Sequence, residues 1–169
     1  MKTFDASLTK NNILRCIRYS GISDEDFSNI IGISIRKFKY IKSEKFSFTI
    51  NDIKKASTFF KISFDRITTT KISLNKNYRT ELLDYHRNNL EYKKILQDKP
   101  SIPYAIEFIL IAIPEFSNKK MEVKAIKAMI EEKGYIYASS SLTNELKKSE
   151  FIEFEPHPSK KGTFVYSKK

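Results

Sequence analysis

The chain has 169 residues, 40% hydrophobic and 13% aromatic, and its 31 Lys/Arg against 20 Asp/Glu give a formal charge of +11. That apolar content excludes a disordered polyelectrolyte and suits one ordinary domain or two small ones. The best apolar run, Phe108 to Ile113, is far short of the roughly 18 residues of a membrane span, so no membrane association is expected.

The opening stretch MKTFDASLTKNN lacks the apolar segment of a secretory leader. A single cysteine, Cys16, excludes an intrachain disulfide and fits a reducing cytoplasm. The positive charge is uneven: +6 over residues 1–70, +3 over 71–100 and +2 over 101–169. Its tightest cluster is Arg36, Lys37, Lys39, Lys42 and Lys45 against Glu44 alone. A solvated surface explains any one such run. A polyanion is the natural partner of the cluster, because neutralised phosphates release counterions.

Taken in order, Asn11 to Tyr19 reads as a first helix on the spacing of Ile13, Leu14 and Ile17. Asn11 or Asn12 is its expected cap and Gly21 its stop. Ser23 caps a second helix, Asp24 to Ile31, with Asp26 completing an acidic capping box. The first-turn acids Asp24, Glu25 and Asp26 also suit the helix dipole. Gly32-Ile33-Ser34 forms a tight turn, and Ser34 caps a third helix, Ile35 to Ser43, that buries Phe38 and Ile41. Thr49 or Asn51 opens a fourth helix, with Ile50, Ile53, Ala56, Ser57 and Phe60 on one face. Ser63 caps a short fifth, which carries Phe64 and Ile67. Phe46, Phe48, Phe59 and Phe60 are read as core rings rather than stacking platforms for unpaired bases.

Residues 8–70 resemble the lambda-repressor-like helix-turn-helix family. The match runs through Ser23, Phe27, Gly32, Ile33-Ser34, Phe38, Ile41, Ile53, Ala56, Phe60, Ile62-Ser63-Phe64-Asp65 and Ile67. Departures fall at Asp24, where the family often has Gln, and at Lys42 and Glu44, where it often has Glu and then Gly. The resemblance implies that Ser34, Ile35, Arg36, Lys37 and Tyr40 face the major groove of DNA. Arg36 suits guanine O6 and N7, and Ile35 suits a thymine methyl. Lys39, Lys42 and Lys45 suit phosphates, which position a protein without reading sequence. Such a unit reads half a site, so a homodimer is expected.

Residues 71–100 are polar and basic, and one connecting helix is expected there, over Arg79 to Gln97, ended by Pro100 and Pro103. Tyr78, Tyr85 and Tyr92 recur every seven residues and are candidates for a packing or dimer stripe. From residue 101 a second unit is expected. Its helices run from Tyr104 to Ile113, Glu122 to Lys133 and Ser139 to Lys148, followed by strands Phe151 to Glu155 and Thr163 to Ser167. Three helices and a hairpin with a basic tip resemble a winged helix. That order implies a second DNA surface at Ser139, Ser140, Ser141, Thr143, Asn144 and Lys147, with Lys160 and Lys161 at the wing tip. Winged helices also serve as docking modules, so a protein partner on residues 101–169 is equally open.

The expected architecture is therefore mainly α: a five-helix helix-turn-helix domain over 1–70, a connecting helix over 71–100, and a winged-helix-like α+β domain over 101–169. No catalytic motif is read. His86 and His157 lack metal-ligand spacing, and no phosphate-binding glycine loop appears. Asp24-Glu25-Asp26 and Glu131-Glu132 read as helix ends rather than paired catalytic carboxylates. No enzyme, cofactor or metal is expected. The expected function is a cytoplasmic, sequence-specific regulator of transcription that binds double-stranded DNA. The alternatives are an antitoxin-like or mobile-element accessory protein whose 101–169 unit mainly binds another protein, and an RNA-binding protein that uses the same basic surface.

Overall fold

The structure is a computed structural model that describes residues 4–169. It is mainly helical with one small antiparallel sheet, and it divides into two compact units, Met1–Asp98 and Lys99–Lys169. The first unit contains α1 (Ala6–Ser20), α2 (Asp24–Ile31), α3 (Ile35–Lys42), α4 (Ile50–Phe60), α5 (Phe64–Thr69), α6 (Tyr78–Tyr85) and α7 (Leu90–Gln97).

Side-chain caps set most of these starts. The Ser23 hydroxyl accepts from the Asp26 N–H at 3.0 Å while the Asp26 carboxylate accepts from the Ser23 N–H at 3.4 Å. Thr49 and Asp52 repeat that reciprocal box at α4, and Ser34 and Ser63 cap α3 and α5. Each cap satisfies amide groups that the first helical turn leaves without partners. At α1 the expectation fails. The cap is Asp5, whose carboxylate accepts from the Leu8 N–H at 2.9 Å. Asn12 lies inside the helix, where its buried amide serves another segment. Its Nδ2 donates to the carbonyls of Ile67 and Thr70 at 2.9 and 2.8 Å, and its Oδ1 accepts from the Ile72 N–H at 3.0 Å.

The core of this unit is built on aromatic rings. Phe27 packs against Phe38 and Phe60 with centroids 5.1 and 5.8 Å apart, and Phe48 meets both Phe27 and Phe38 at 6.2 Å. Phe46, expected among them, is instead 56% exposed.

The expected single helix over 79–97 is two helices. The chain turns at residues 86–89, where the Asn89 side chain caps α7 by accepting from the Tyr92 N–H at 3.1 Å. Asparagine side chains favour such local bonds over helix continuation. Nor is this segment merely a connection: Ile72, Tyr78, Leu82 and Leu96 are buried in the same core as α1–α5. The Tyr78 hydroxyl donates to the Phe60 carbonyl at 2.7 Å. His86 lies 2.7 Å from the Phe59 carbonyl through Nε2 and stacks on the Phe59 ring. The tyrosines form no common stripe: the turn puts Tyr92 on a separate helix, and Tyr78 and Tyr85, at opposite ends of α6, differ in burial. Tyr78 is buried, Tyr85 is exposed, and Tyr92 stands edge-on to Phe59.

The second unit begins with α8 (Ile102–Tyr104), which continues as a π-helical turn, Ala105–Ile109, and a 3-10 turn, Leu110–Ala112. The expected α-helix over 104–113 is thus replaced by two irregular turns that keep Ala105, Ile106 and Leu110 all buried. There follow α9 (Pro114–Ser117), β1 (Met121–Glu122), α10 (Val123–Glu131), α11 (Ser139–Lys148), β2 (Ile152–Pro156) and β3 (Phe164–Lys168). The sheet has the order β1-β3-β2, both pairings antiparallel, with Met121 opposite Tyr166 and Phe154 opposite Tyr166 on the other side. The hairpin was legible, but Glu122, expected to open the helix of α10, instead joins Met121 in strand β1. Ile126, Ile130, Leu142, Leu146, Ile152 and Tyr166 bury the helices against the sheet.

Candidate nucleic-acid interface

The turn before α3 depends on Gly32, whose φ of 75° lies in the left-handed region. A side chain there is strained, and its Cβ would meet Lys55 Nζ at 3.1 Å. That ammonium donates to the Ile31 carbonyl at 3.0 Å and completes the end of α2. Past the turn, Phe38 and Ile41 are both fully buried and fix the roll of α3. Ser34, Ile35, Arg36, Lys39 and Lys42 consequently face solvent.

The exposed side chains are partly organised before any ligand arrives. Arg36 Nε donates to the Tyr40 hydroxyl at 3.1 Å, with its guanidinium carbon 5.5 Å from the Tyr40 ring centroid. The Lys45 ammonium lies 5.5 Å from the same centroid, and Phe46 stands edge-on to that ring at 5.5 Å. Arg36, Tyr40 and Lys45 thus form one cation–aromatic cluster, and exposed Phe46 belongs to it. The sequence carries no signal for Phe46, because the chain bends between it and buried Phe48.

Two lysines expected to meet DNA are paired within the chain. The Lys37 ammonium lies 3.1 Å from the Asp52 carboxylate. Burial pushes the Asp52 carboxyl up, but hydrogen bonds from the Thr49 backbone, Lys37 and the Thr49 hydroxyl hold it below the ordinary carboxylate range. Lys37 is therefore directed to the start of α4. The Lys42 ammonium lies 2.7 Å from the Asp24 carboxylate. Lys39 forms no ion pair among the described residues and is exposed. Arg36, Lys39 and Lys45 are the cations left to an external anion.

In the second unit Ser139, Ser140, Ser141 and Asn144 share the exposed side of α11. The neighbouring residues expected to join them are engaged locally. Thr143 is half-buried. The Lys147 ammonium sits over two hairpin rings, 4.1 Å from the Phe164 centroid and 5.7 Å from that of Phe154. Lys160 pairs with Glu122, which also lies 3.3 Å from His157 Nε2. His157 Nδ1 accepts from the backbone N–H groups of Ser159 and Lys160 at 3.1 and 3.2 Å, which leaves Nε2 to carry the proton toward Glu122. Lys161 is exposed in the turn between the strands.

Among the described residues no group of three or more His, Cys, Asp or Glu is placed to hold a metal ion. No helix among them is long and apolar enough to cross a membrane. Compared with protein-family models, curated proteins and solved structures, the chain matches none.

Proposed function

We propose that this chain is a cytoplasmic, sequence-specific regulator of transcription that binds double-stranded DNA as a homodimer, with α2 and α3 acting as a lambda-repressor-like helix-turn-helix. One observation carries the reading: a short helix rolled by buried Phe38 and Ile41 so that Arg36 and Lys39 face solvent, behind a left-handed glycine turn. A helix of this size fits the major groove of B-form DNA. Arg36, already oriented by Tyr40, reads a base edge, and Lys39 and Lys45 contact phosphates. The deep, narrow major groove of A-form RNA would not admit α3, which favours DNA over RNA.

The test is selection from a random duplex pool with the full chain, followed by affinities of the Arg36→Ala and Lys45→Ala variants on the selected site and on random duplex. Arg36→Ala costs about 1–3 kcal/mol on the selected site and relaxes one base position. Lys45→Ala weakens all duplexes alike. Equal weakening of selected and random DNA by Arg36→Ala sinks the base-reading role.

A second reading concerns residues 101–169, a winged-helix-like module in this proposal. Lys147 lies over aromatic rings and Lys160 pairs with Glu122. Those local engagements favour protein capture over DNA contact for that unit, as in an antitoxin-like or mobile-element accessory protein.

A further inference from the structure

The second unit carries a groove of about 590 Å³ along β1, α10 and the turn between β2 and β3. The groove is open to solvent, with Ala125 and Ala128 exposed. Its composition is layered. Met121, Ala125, Ala128 and Val165 supply an apolar floor from β1, one side of α10 and β3. Lys120, Lys124 and Lys160 supply a rim of three cations, set against the carboxylate of Glu122 in the groove and that of Glu155 beside Lys120.

The rim is held in place rather than loosely solvated. Lys120 pairs with Glu155 at 2.7 Å. Lys160 and His157 both converge on Glu122, which fixes the hairpin turn against the end of β1. Lys124 is exposed and forms no ion pair among the described residues. Lys124 is therefore the rim cation outside an ion pair, although its charge also acts on Glu122, while Lys120 and Lys160 are each paired with a carboxylate.

We propose that this groove binds an acidic, apolar-anchored peptide segment of another protein. The occupant's apolar side chains rest on Met121, Ala125 and Ala128, and its carboxylate meets Lys124, the rim lysine outside an ion pair. Charge complementarity selects this occupant. A second copy of the chain would bring a formal charge of +11 toward a cationic rim. A phosphate backbone would satisfy the rim but leave the apolar floor uncovered. The proposal stands apart from the DNA reading of α3, because it uses residues of the second unit alone.

The test uses the full-length ¹⁵N-labelled chain and three synthetic amphipathic peptides of equal length, built from Glu and Leu, from Glu and Ser, and from Lys and Leu, with a random DNA duplex as a fourth probe. The Glu/Leu peptide shifts the amide resonances of Met121, Ala125, Ala128 and Val165. The Glu/Ser and Lys/Leu peptides bind about tenfold more weakly or not at all, since one lacks the anchors and the other the charge. Lys124→Glu, an exposed change whose folding is checked by its melting curve, weakens the Glu/Leu peptide about fivefold or more. Ala128→Gln, which obstructs the floor without altering charge, weakens it similarly. Equal binding of the Glu/Ser and Glu/Leu peptides reduces the groove to a nonspecific cationic surface and overturns the proposal. So does a response centred on Arg36 and Lys39. If the duplex moves the same groove resonances more strongly than the Glu/Leu peptide, the groove belongs to nucleic acid and the proposal fails.

Discussion

Asp24 and Lys42 form an ion pair, with carboxylate and ammonium 2.7 Å apart, joining the start of α2 to the end of α3. Each side chain is less than half exposed, at 39% and 43%. Both positions depart from the helix-turn-helix pattern that this segment resembles, and the departures compensate each other. An acid stands where an amide is common, and a base where an acid is common. The acid lies beside the basic helix proposed to meet DNA, and it withdraws one cation from that helix.

Replacing Asp24 by Gln should therefore have opposite effects on stability and on DNA affinity. A double-mutant cycle over Asp24→Gln and Lys42→Gln should give a coupling of about 0.2–1 kcal/mol in urea unfolding, the range of partly exposed pairs. DNA binding by Asp24→Gln should be about two- to fivefold tighter at low salt, with a steeper salt dependence, because Lys42 is released toward phosphate. Fluorescence anisotropy at about 50 and about 200 mM salt measures both quantities. Unchanged affinity and slope would place Lys42 away from the phosphates.

Glu44 holds a φ of 65°, so the chain keeps a left-handed turn after α3 with a side chain at the position. Lys10 pairs with its carboxylate and, by hydrogen bond and charge, draws its pKa below the usual range. Left-handed backbone is strained for any residue with a Cβ, and an ion pair whose Glu44 side chain is 74% exposed, though Lys10 is largely buried, offsets only part of that strain. Glu44→Gly should raise Tm by about 2–4 °C, while Glu44→Ala, which keeps the strain and loses the pair, should lower it slightly. Calorimetry on the three proteins decides between backbone and charge. A Gly variant less stable than the Ala variant would mean that the turn is not strained.

Features whose cause is local were readable in the sequence. The box of Ser23 and Asp26, the caps Ser34 and Ser63, the stop at Gly21 and the buried pair Phe38 and Ile41 follow from residues a few positions apart. What escaped depends on distant partners. Asn11 or Asn12 was read as the cap because asparagine favours helix starts, yet the Asn12 amide satisfies backbone groups at residues 67, 70 and 72. Lys37 was placed on the expected DNA-facing side by the family resemblance, and the position of Asp52, fifteen residues on, turns its ammonium to the start of α4. Strand β1 is two residues long and gains its identity from pairing with β3, a property no local pattern can carry. Lys160 was assigned to an exposed tip, and Glu122, far away in sequence, holds it.

Alkaline pH should weaken the first unit through Cys16. Burial pushes its thiol pKa from 9.0 up to about 12, against smaller downward effects of the Tyr78 hydrogen bond and the charge of Arg15. Burial also raises the Tyr78 phenol, with neighbouring Cys16 adding to the rise. Both acids hold their protons more tightly folded than unfolded. The stability they contribute is full below pH 9.0 and declines as pH rises from there toward about 12. Between pH about 8.5 and about 10.5 the Tm of the wild type should fall more steeply than that of Cys16→Ala, which has no thiol to ionise in the unfolded chain. Parallel curves for the two proteins would remove Cys16 from the linkage. Alkylation by iodoacetamide should follow unfolding, since the thiolate is the nucleophile and the buried group remains a thiol.

The boundary of the first unit gives the sharpest test of its packing. A fragment ending at residue 70 retains the five helices α1–α5, yet it loses Ile72, Tyr78, Leu82 and Leu96, each buried in the common core. At about 1.5–3 kcal/mol for each buried side chain, that loss is comparable to the roughly 5–15 kcal/mol stability of a whole domain. The fragment also strips the Phe60 carbonyl of the Tyr78 hydroxyl, the Phe59 carbonyl of His86 and the Asn12 side chain of the Ile72 N–H. Buried polar groups left in this way add their own cost. A fragment of residues 1–98 should melt cooperatively and give dispersed amide resonances, whereas residues 1–70 should show weak helicity and no cooperative transition. A cooperative melt of 1–70 within a few degrees of that of 1–98 would reduce α6 and α7 to an appendage of a self-sufficient five-helix domain.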